Sequence, residues 1–266
     1  MAISSIIYKD QLNRSLQLNH VPQRIVSLVP SLTELLVDLG LEDKIVGITK
    51  FCIHPNQIRK EKIIVGGTKQ VNIEKIKTLL PDIILCNKEE NTKSIIEDLT
   101  SVAPIHISDI YNLKDCLELI TMYGKLFNAE DKALEICSKI KIERNQFLFT
   151  ITNPIKPKAA YFIWKEPWMV AASNTFIDFM LKEAGFDNIF NNLKRYPEIE
   201  LNNEYLVNAD VILLSSEPYP FKEKHVKELQ DKFPNKKICI VDGEMFSWYG
   251  SRVLKAYTYF KTLKHN

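Results

Sequence analysis

Residues 24–40 read RIVSLVPSLTELLVDLG, and this stretch decides the fold class. Arg24 to Leu28 is a short, nearly continuous apolar run, fit for a strand buried on both faces. Pro30 ends it. Ser31 and Glu34 stand three apart, the spacing of a capping box, so a helix is expected over Leu32–Leu39 with Gly40 as its stop. Lys44–Ile48 then reads as a second strand. Strand, helix and strand with short joints is the beginning of an α/β sheet.

The alternation continues outward. Helical spacing covers Ile73–Leu80, a strand Asp82–Cys86, a helix Thr92–Leu99 with Asn91 as its cap, and a strand Ile105–Ile107; another helix begins near Asn112. From Asn128, expected as an N-cap, no breaker interrupts the chain for about 22 residues, roughly 33 Å of helix. Pro154 and Pro157 close it. A second series restarts with a strand at Lys158–Ile163. It runs through helices Thr175–Ala184 and Asn203–Val207, a strand Val211–Leu214, a helix Glu223–Leu229, a strand Lys237–Val241 and a final helix Arg252–Leu263. The expected organisation is an N-terminal α/β lobe over 1–127, a connecting backbone helix over 128–153, and a C-terminal α/β lobe over 154–266. The two series share a short repeat: Glu74 precedes the strand at Asp82, and Glu204 precedes the strand at Asp210. Duplication of a lobe is the simple reading, and two lobes on one stiff helix face each other across a cleft.

Composition narrows the function. Thirty-five Lys and Arg against 33 Asp and Glu leave a net charge of +2, too balanced for a chain whose main task is to neutralise a phosphate backbone, so no nucleic-acid partner is expected. Only 8 glycines are present, which disfavours glycine-cradled phosphate sites, and the P-loop, dinucleotide, zincin and nucleophile-elbow motifs are absent. No apolar run reaches the ~18 residues of a membrane span. The five cysteines are odd in number and form no C-x-x-C, so reduced thiols fit. The first twenty residues lack the basic start, apolar run and cleavage site of a secretory signal. The cytoplasm is therefore expected for the chain as written, and the periplasm if a leader has been removed.

In open α/β sheets ligands sit beyond the carboxyl ends of the strands, so the loops that follow the strands carry the chemistry. Ser31 follows the first strand, and Phe51, Cys52 and His54 follow the second. Trp168 follows the first strand of the second series, and Arg195 with Tyr196 lies beyond the next helix. Glu217, Tyr219 and Phe221 follow Leu214, and Trp248, Tyr249 and Arg252 follow the last strand. All three tryptophans of the chain lie in these loops. Flat apolar side chains with single charges among them are what a ligand pocket needs and what ordinary connecting loops lack. Arg252, at a helix N-terminus, calls for an acidic partner such as Glu217 or Glu244. Cys52 and His54 stand two apart, on one side of an extended segment. They are candidate metal contacts, with His54 as a possible axial ligand, or a candidate nucleophile and base for a hydrolase-like enzyme. His20, His106, His225 and His265 read as structural or exposed.

The segments at 24–40, 44–51, 66–85, 175–190, 202–214 and 241–256 together resemble the class III periplasmic-type binding proteins for cobalamin and iron-siderophores, the substrate-binding components of ABC transporters, and most of all the vitamin B12-binding members. The resemblance implies two Rossmann-like lobes with central, mostly parallel sheets joined by one long backbone helix, and a monomer that binds rather than catalyses. It implies a corrinoid or related metal chelate in the interlobe cleft, an iron-siderophore or haem being the alternative, with no covalently bound cofactor. By position in the repeat, Glu74 and Glu204 match the pair of surface glutamates that dock onto an ABC permease. Six aromatic side chains against three offset cations favour a large, nearly neutral ring over an anionic siderophore.

Overall fold

The computed structural model describes residues 6–151, 155–202 and 204–263. Its elements are, in chain order, β1 (Ile6–Lys9), β2 (Ser15–Leu18), β3 (Ile25–Ser27), α1 (Pro30–Asp38), β4 (Ile45–Ile48), α2 (Ile58–Glu61), β5 (Ile63–Ile64), α3 (Ile73–Thr78), β6 (Ile83–Asn87), α4 (Lys93–Leu99), β7 (Ile105–Ser108), α5 (Leu113–Phe127) and α6 (Glu130–Thr150). They continue with β8 (Lys158–Trp164), β9 (Met169–Val170), α7 (Phe176–Glu183), β10 (Asp187–Asn188), α8 (Glu204–Val207), β11 (Val211–Ser215), α9 (Glu223–Lys232), β12 (Lys237–Val241), α10 (Glu244–Ser247) and α11 (Arg252–Phe260). The chain forms two compact units, Met1–Ile140 with Tyr249–Arg252, and Lys141–Trp248 with Val253–Asn266. The division falls inside α6. The expected lobe boundary at 153/154, the Asn203 start of a helix, Pro154 and His265 lie outside the described residues.

In the first unit five parallel strands stand in the order β5-β4-β3-β6-β7. Every residue of β3 and β6 is buried, as central strands flanked by helices on both faces must be. The chain moves outward from β3 to β4 and β5, then returns to β6 and β7 on the other side. The reversal between β3 and β6 is a topological switch point, where an open α/β sheet leaves a crevice at its carboxyl edge. The β1–β2 hairpin covers the β7 edge: Arg14 Nη2 donates to the Ile105 carbonyl at 2.7 Å, and Asp10 Oδ2 accepts from the Ile107 N–H at 3.3 Å.

The second unit repeats the plan. Its parallel strands stand in the order β10-β8-β11-β12, with β9 antiparallel on β8, so the reversal lies between β8 and β11. One detail marks the repeat at atomic scale. Asp82, just before β6, accepts the Arg24 N–H at 2.9 Å and donates its own N–H to the Arg24 carbonyl at 2.8 Å. Asp210, just before β11, does the same with Lys158, at 2.7 and 2.8 Å. Each aspartate pins the start of its strand to the start of the neighbouring one.

Three local expectations are corrected. Ser31 does not cap α1: the helix starts two residues earlier with Pro30 in its first turn and Val29 as N-cap, and no side chain caps it. Valine at the N-cap has no side-chain oxygen to accept the free N–H groups of the first turn, proline suits the first helical position, and Glu34 is engaged elsewhere. Asn128 is not the N-cap of the long helix but the left-handed C-cap of α5, at φ 55°, a conformation asparagine tolerates better than most residues. Asn91 does not cap α4; Thr92 does, accepting the Ile95 N–H at 3.3 Å. No helix among the described residues is long and apolar enough to cross a membrane.

Candidate functional site

In the second unit the loops after β8 and β11 meet at the switch point, and their aromatic side chains pack on one another. Trp168 stacks on Phe221 with ring centroids 6.0 Å apart and planes at 11°. Trp164 meets Tyr219 edge-on at 5.5 Å, and Tyr219 lies 4.7 Å from Phe221. The Arg195–Glu198 segment is stitched alongside: the Ala172 N–H donates to the Arg195 carbonyl at 2.8 Å, and the Ile199 N–H to the Trp168 carbonyl at 2.9 Å. Glu217 joins the last loop to this group, accepting from Ser247 Oγ at 2.7 Å and Trp248 Nε1 at 2.8 Å. Burial pushes the Glu217 carboxyl pKa up, and those two hydrogen bonds oppose the shift. Gly243 is required beneath them, because a Cβ there would overlap Ser215 Oγ and the Glu217 side chain.

The structure sorts the aromatic residues. Trp164 is 39% exposed, and Trp168 and Tyr219 are half-buried; these three present ring surface to solvent. Phe221, expected to face a ligand, is 4% exposed and belongs to the hydrophobic core of the unit, and Trp248 is buried as well. Phe221 packs behind Trp168 and Tyr219, and Trp248 is held by its hydrogen bond to Glu217. The cations beside the wall are already engaged: Lys165 lies over the Trp168 ring at 5.2 Å and pairs with Glu228, and Arg195 donates to the Asn174 carbonyl at 2.9 Å while resting 5.5 Å over Tyr196. His225, read from the sequence as structural or exposed, is buried and sits behind Tyr219 and Phe221 with its ring centroid 5.5 Å from each.

In the first unit the strand-end loops are held by buried polar side chains. Asn91 accepts the Asn87 N–H at 2.9 Å and donates to the carbonyls of Leu28 and Thr68, at 3.3 and 2.9 Å. One amide thus fixes three loops. Phe51 is exposed, with Lys50 Nζ 5.0 Å from its ring centroid. Lys50 also lines an open hollow of about 580 Å³ that it shares with Gly67, Gln70, Asn72 and Glu74. His54 is half-buried. Cys52 points the other way: it is fully buried, with Thr33 Oγ1 at 3.1 Å and Thr49 Oγ1 at 3.3 Å from its sulfur. Burial raises its thiol pKa against those hydrogen bonds. The expectation that Cys52 contacts a metal or acts as a nucleophile is therefore corrected, since both roles require an accessible thiolate. Among the described residues no three His, Cys, Asp or Glu side chains gather as a metal site.

Arg252 has the acidic partner its place calls for, and that partner is Glu34 of α1, not one of the residues expected: Nε lies 2.7 Å from Oε2, with both side chains 4% exposed. Ser31 and Tyr249 are buried within the same unit. Burial drives the Tyr249 phenol far above its ordinary pKa, the Ser108 and Ser31 hydroxyls opposing. Glu74 and Glu204 are exposed in the first turns of α3 and α8, and Glu74 pairs with Lys77 at 2.7 Å.

A model of the periplasmic binding protein family matches residues 25–236. An uncharacterized ABC transporter substrate-binding lipoprotein of Bacillus subtilis (strain 168), YvrC, is 32% identical over 137 residues, which cover 50% of this chain and 43% of that protein; the match spans less than half of that relative's length. A vitamin B12-binding protein of Vibrio vulnificus (strain YJ016) is 25% identical over 196 residues, 73% of this chain and 71% of that one. Among solved structures, the periplasmic vitamin B12 binding protein BtuF of Vibrio cholerae superimposes with a TM-score of 0.73 at 22% identity, covering 92% of this chain and 99% of that one. The periplasmic heme binding protein HutB of Vibrio cholerae does so with 0.77 at 19% identity and the same coverage. At these identities the structural likeness establishes the fold alone. The family match begins at β3, ends just before β12 and takes in both switch points, and on that ground the chain belongs to the periplasmic binding protein family.

Proposed function

We propose that the chain is the substrate-binding component of an ABC importer and that its ligand is a corrinoid, cobalamin first, or a closely related planar metal chelate. The observation that carries this reading is the aromatic wall at the β8/β11 switch point: Trp164, Trp168 and Tyr219 offer ring surface, while Lys165 and Arg195 beside them are already partnered. A wall of this kind suits a large, nearly neutral ring. A strongly anionic siderophore would call for uncommitted, converging cations. The vitamin B12-binding relatives support the same ligand class. The relatives named as lipoprotein and periplasmic proteins favour action outside the cytoplasm, in place of the cytoplasmic expectation. On this reading Glu74 and Glu204 meet the permease, and the chain binds and delivers its ligand without transforming it.

Titration of the purified protein with cyanocobalamin, followed by visible absorbance and by melting temperature, tests the reading. A tight binder gains about 2.7 kcal/mol at a hundredfold excess over its dissociation constant, several degrees of Tm for units of this size. No spectral or thermal shift at about 100 μM overturns the corrinoid reading. Stabilisation by haem or a ferric siderophore instead moves the assignment to that class.

A further inference from the structure

His225 lies one turn into α9, is 3% exposed, and is enclosed by the two aromatic side chains of the loop before it. Its Nδ1 accepts the Lys222 backbone N–H at 2.9 Å. A ring nitrogen that accepts carries no proton, so the proton of the neutral imidazole is on Nε2. There the Tyr219 hydroxyl lies at 3.4 Å. One side chain therefore caps the helix and touches Tyr219 and Phe221, which carry or back the aromatic wall. We propose that His225 is the positioning residue of that wall: as the Nε2–H tautomer it locks the Tyr219–Lys222 loop in the ligand-ready arrangement, and protonation of its Nδ1 unlocks the loop.

The unlocking follows from geometry. An imidazolium has N–H on both sides and cannot accept the Lys222 N–H, so two donors face each other and the cap is lost. The groups around the ring favour the neutral form at neutral pH. Burial lowers its pKa from the usual 6.5, Lys165 from the β8 loop and Lys224 and Lys222 from its own segment lower it further, and Glu228 alone opposes. Acid is then the signal that loosens the wall, and the site would hold its ligand less tightly once the pH has fallen far enough below the usual 6.5 to protonate this buried ring.

The inference rests on the reading of these loops as the ligand's seat, so the experiment has an arm that needs no ligand. In the ligand-free protein, hydrogen exchange over residues 219–226, corrected for intrinsic pH dependence, and the ¹⁵N shifts of the His225 ring are followed from pH 7.5 to 5 in wild type, His225→Gln and His225→Leu. Glutamine supplies an acceptor to the Lys222 N–H but does not titrate; leucine fills space and accepts nothing. Wild type should show unprotonated Nδ1 and a protected segment at pH 7.5, with protection falling about tenfold by pH 5. The glutamine variant should stay protected at both values, and the leucine variant should be unprotected at both. In the second arm the dissociation constant for cyanocobalamin should follow the same pattern. It should be about tenfold weaker for wild type at pH 5 than at 7.5, rescued and pH-independent in His225→Gln, and weak throughout in His225→Leu. A protonated Nδ1 at pH 7.5, a leucine variant as protected as wild type, or a glutamine variant that keeps the wild-type pH dependence overturns the proposal. If cyanocobalamin binds none of the three proteins while the exchange pattern holds, the corrinoid reading fails and the positioning role stands.

Discussion

On β7, His106 meets Tyr123 of α5 edge-on, ring centroids 5.1 Å apart, and neither of its ring nitrogens has a hydrogen-bond partner among the described residues. An imidazole enclosed in this way must stay uncharged. Burial brings its pKa down to about 4, with Asp10 opposing and Arg14 assisting. In the unfolded chain the same group titrates near 6.5. The unfolded state therefore binds the proton first as pH falls, and the stability His106 contributes is complete above pH 6.5 and lost progressively toward pH 4. The difference amounts to about 3 kcal/mol. Urea denaturation at pH 7.5 and 4.5 should show this loss in wild type and a smaller one in His106→Phe; equal losses would place the acid sensitivity elsewhere. At this scale the reading of tryptophans in strand-end loops holds for Trp168 and Trp248, while Trp164 closes strand β8 itself. From the sequence His225 and His106 read as structural or exposed and both are buried, but how either ring is used was not legible, because whether a histidine accepts, donates or stands alone depends on neighbours that the fold brings from elsewhere. The sequence misdirected on Cys52, because i, i+2 spacing puts two side chains on one side only if the backbone is extended, and here Cys52 is fully buried while His54 is only half-buried.

Among the elements, α1 shows how a local pattern yields to a distant contact. Ser31 and Glu34 have capping-box spacing, yet Glu34 pairs with Arg252, 218 residues away in sequence and at the start of α11. The pair is buried on both sides and joins the return segment Tyr249–Arg252 to the first unit. The Gly250 N–H, 3.1 Å from the Cys116 sulfur, makes a second tie. Removing one member of a buried ion pair leaves the other charged in a low-dielectric setting, which costs about 3–5 kcal/mol. Glu34→Ala should therefore lower the unfolding free energy by that amount in chemical denaturation. Glu34→Leu combined with Arg252→Leu should recover most of it; a double variant no more stable than the single one would mean that Arg252 does other work here. Strands β6, β11 and β12 were legible to within a residue, because four- or five-residue, mostly apolar runs between turn signals have few other readings. The two-residue strands β5, β9 and β10 were not, because two residues carry no period. The β1–β2 hairpin also escaped: its strands pair antiparallel over four residues each, too short a run for its period to stand out in a polar N-terminal segment.

Across the whole molecule the repeat is deeper than the two glutamates that first suggested it. Asp82 with Arg24 and Asp210 with Lys158 make the same backbone clasp in the two units. A cation also closes the carboxyl end of each glutamate-bearing helix: the Arg24 guanidinium donates to the Leu79 carbonyl at 2.7 Å, and Lys236 Nζ to the Val207 and Ala209 carbonyls at 2.8 and 2.7 Å. Cations placed there satisfy orphan carbonyls and the negative end of the helix dipole. Two short helices, each anchored at its carboxyl end and each exposing a glutamate in its first turn, are suited to present fixed charges to a partner. The permease-docking reading then makes a separable prediction. Glu74→Ala combined with Glu204→Ala should leave the cyanocobalamin dissociation constant within about twofold of wild type, because neither carboxylate is among the aromatic loops. Association with the permease reconstituted in lipid nanodiscs, and stimulation of its ATPase, should be lost. Glu97→Ala combined with Glu223→Ala, exposed carboxylates on α4 and α9, serves as the control and should dock as wild type does. A drop in ligand affinity in the Glu74 and Glu204 variant would assign those residues to the ligand, and unimpaired docking would reduce them to ordinary solvated side chains. Loss in both pairs alike would mean that the permease reads overall negative charge and not two fixed points, which the matched anchoring of α3 and α8 argues against.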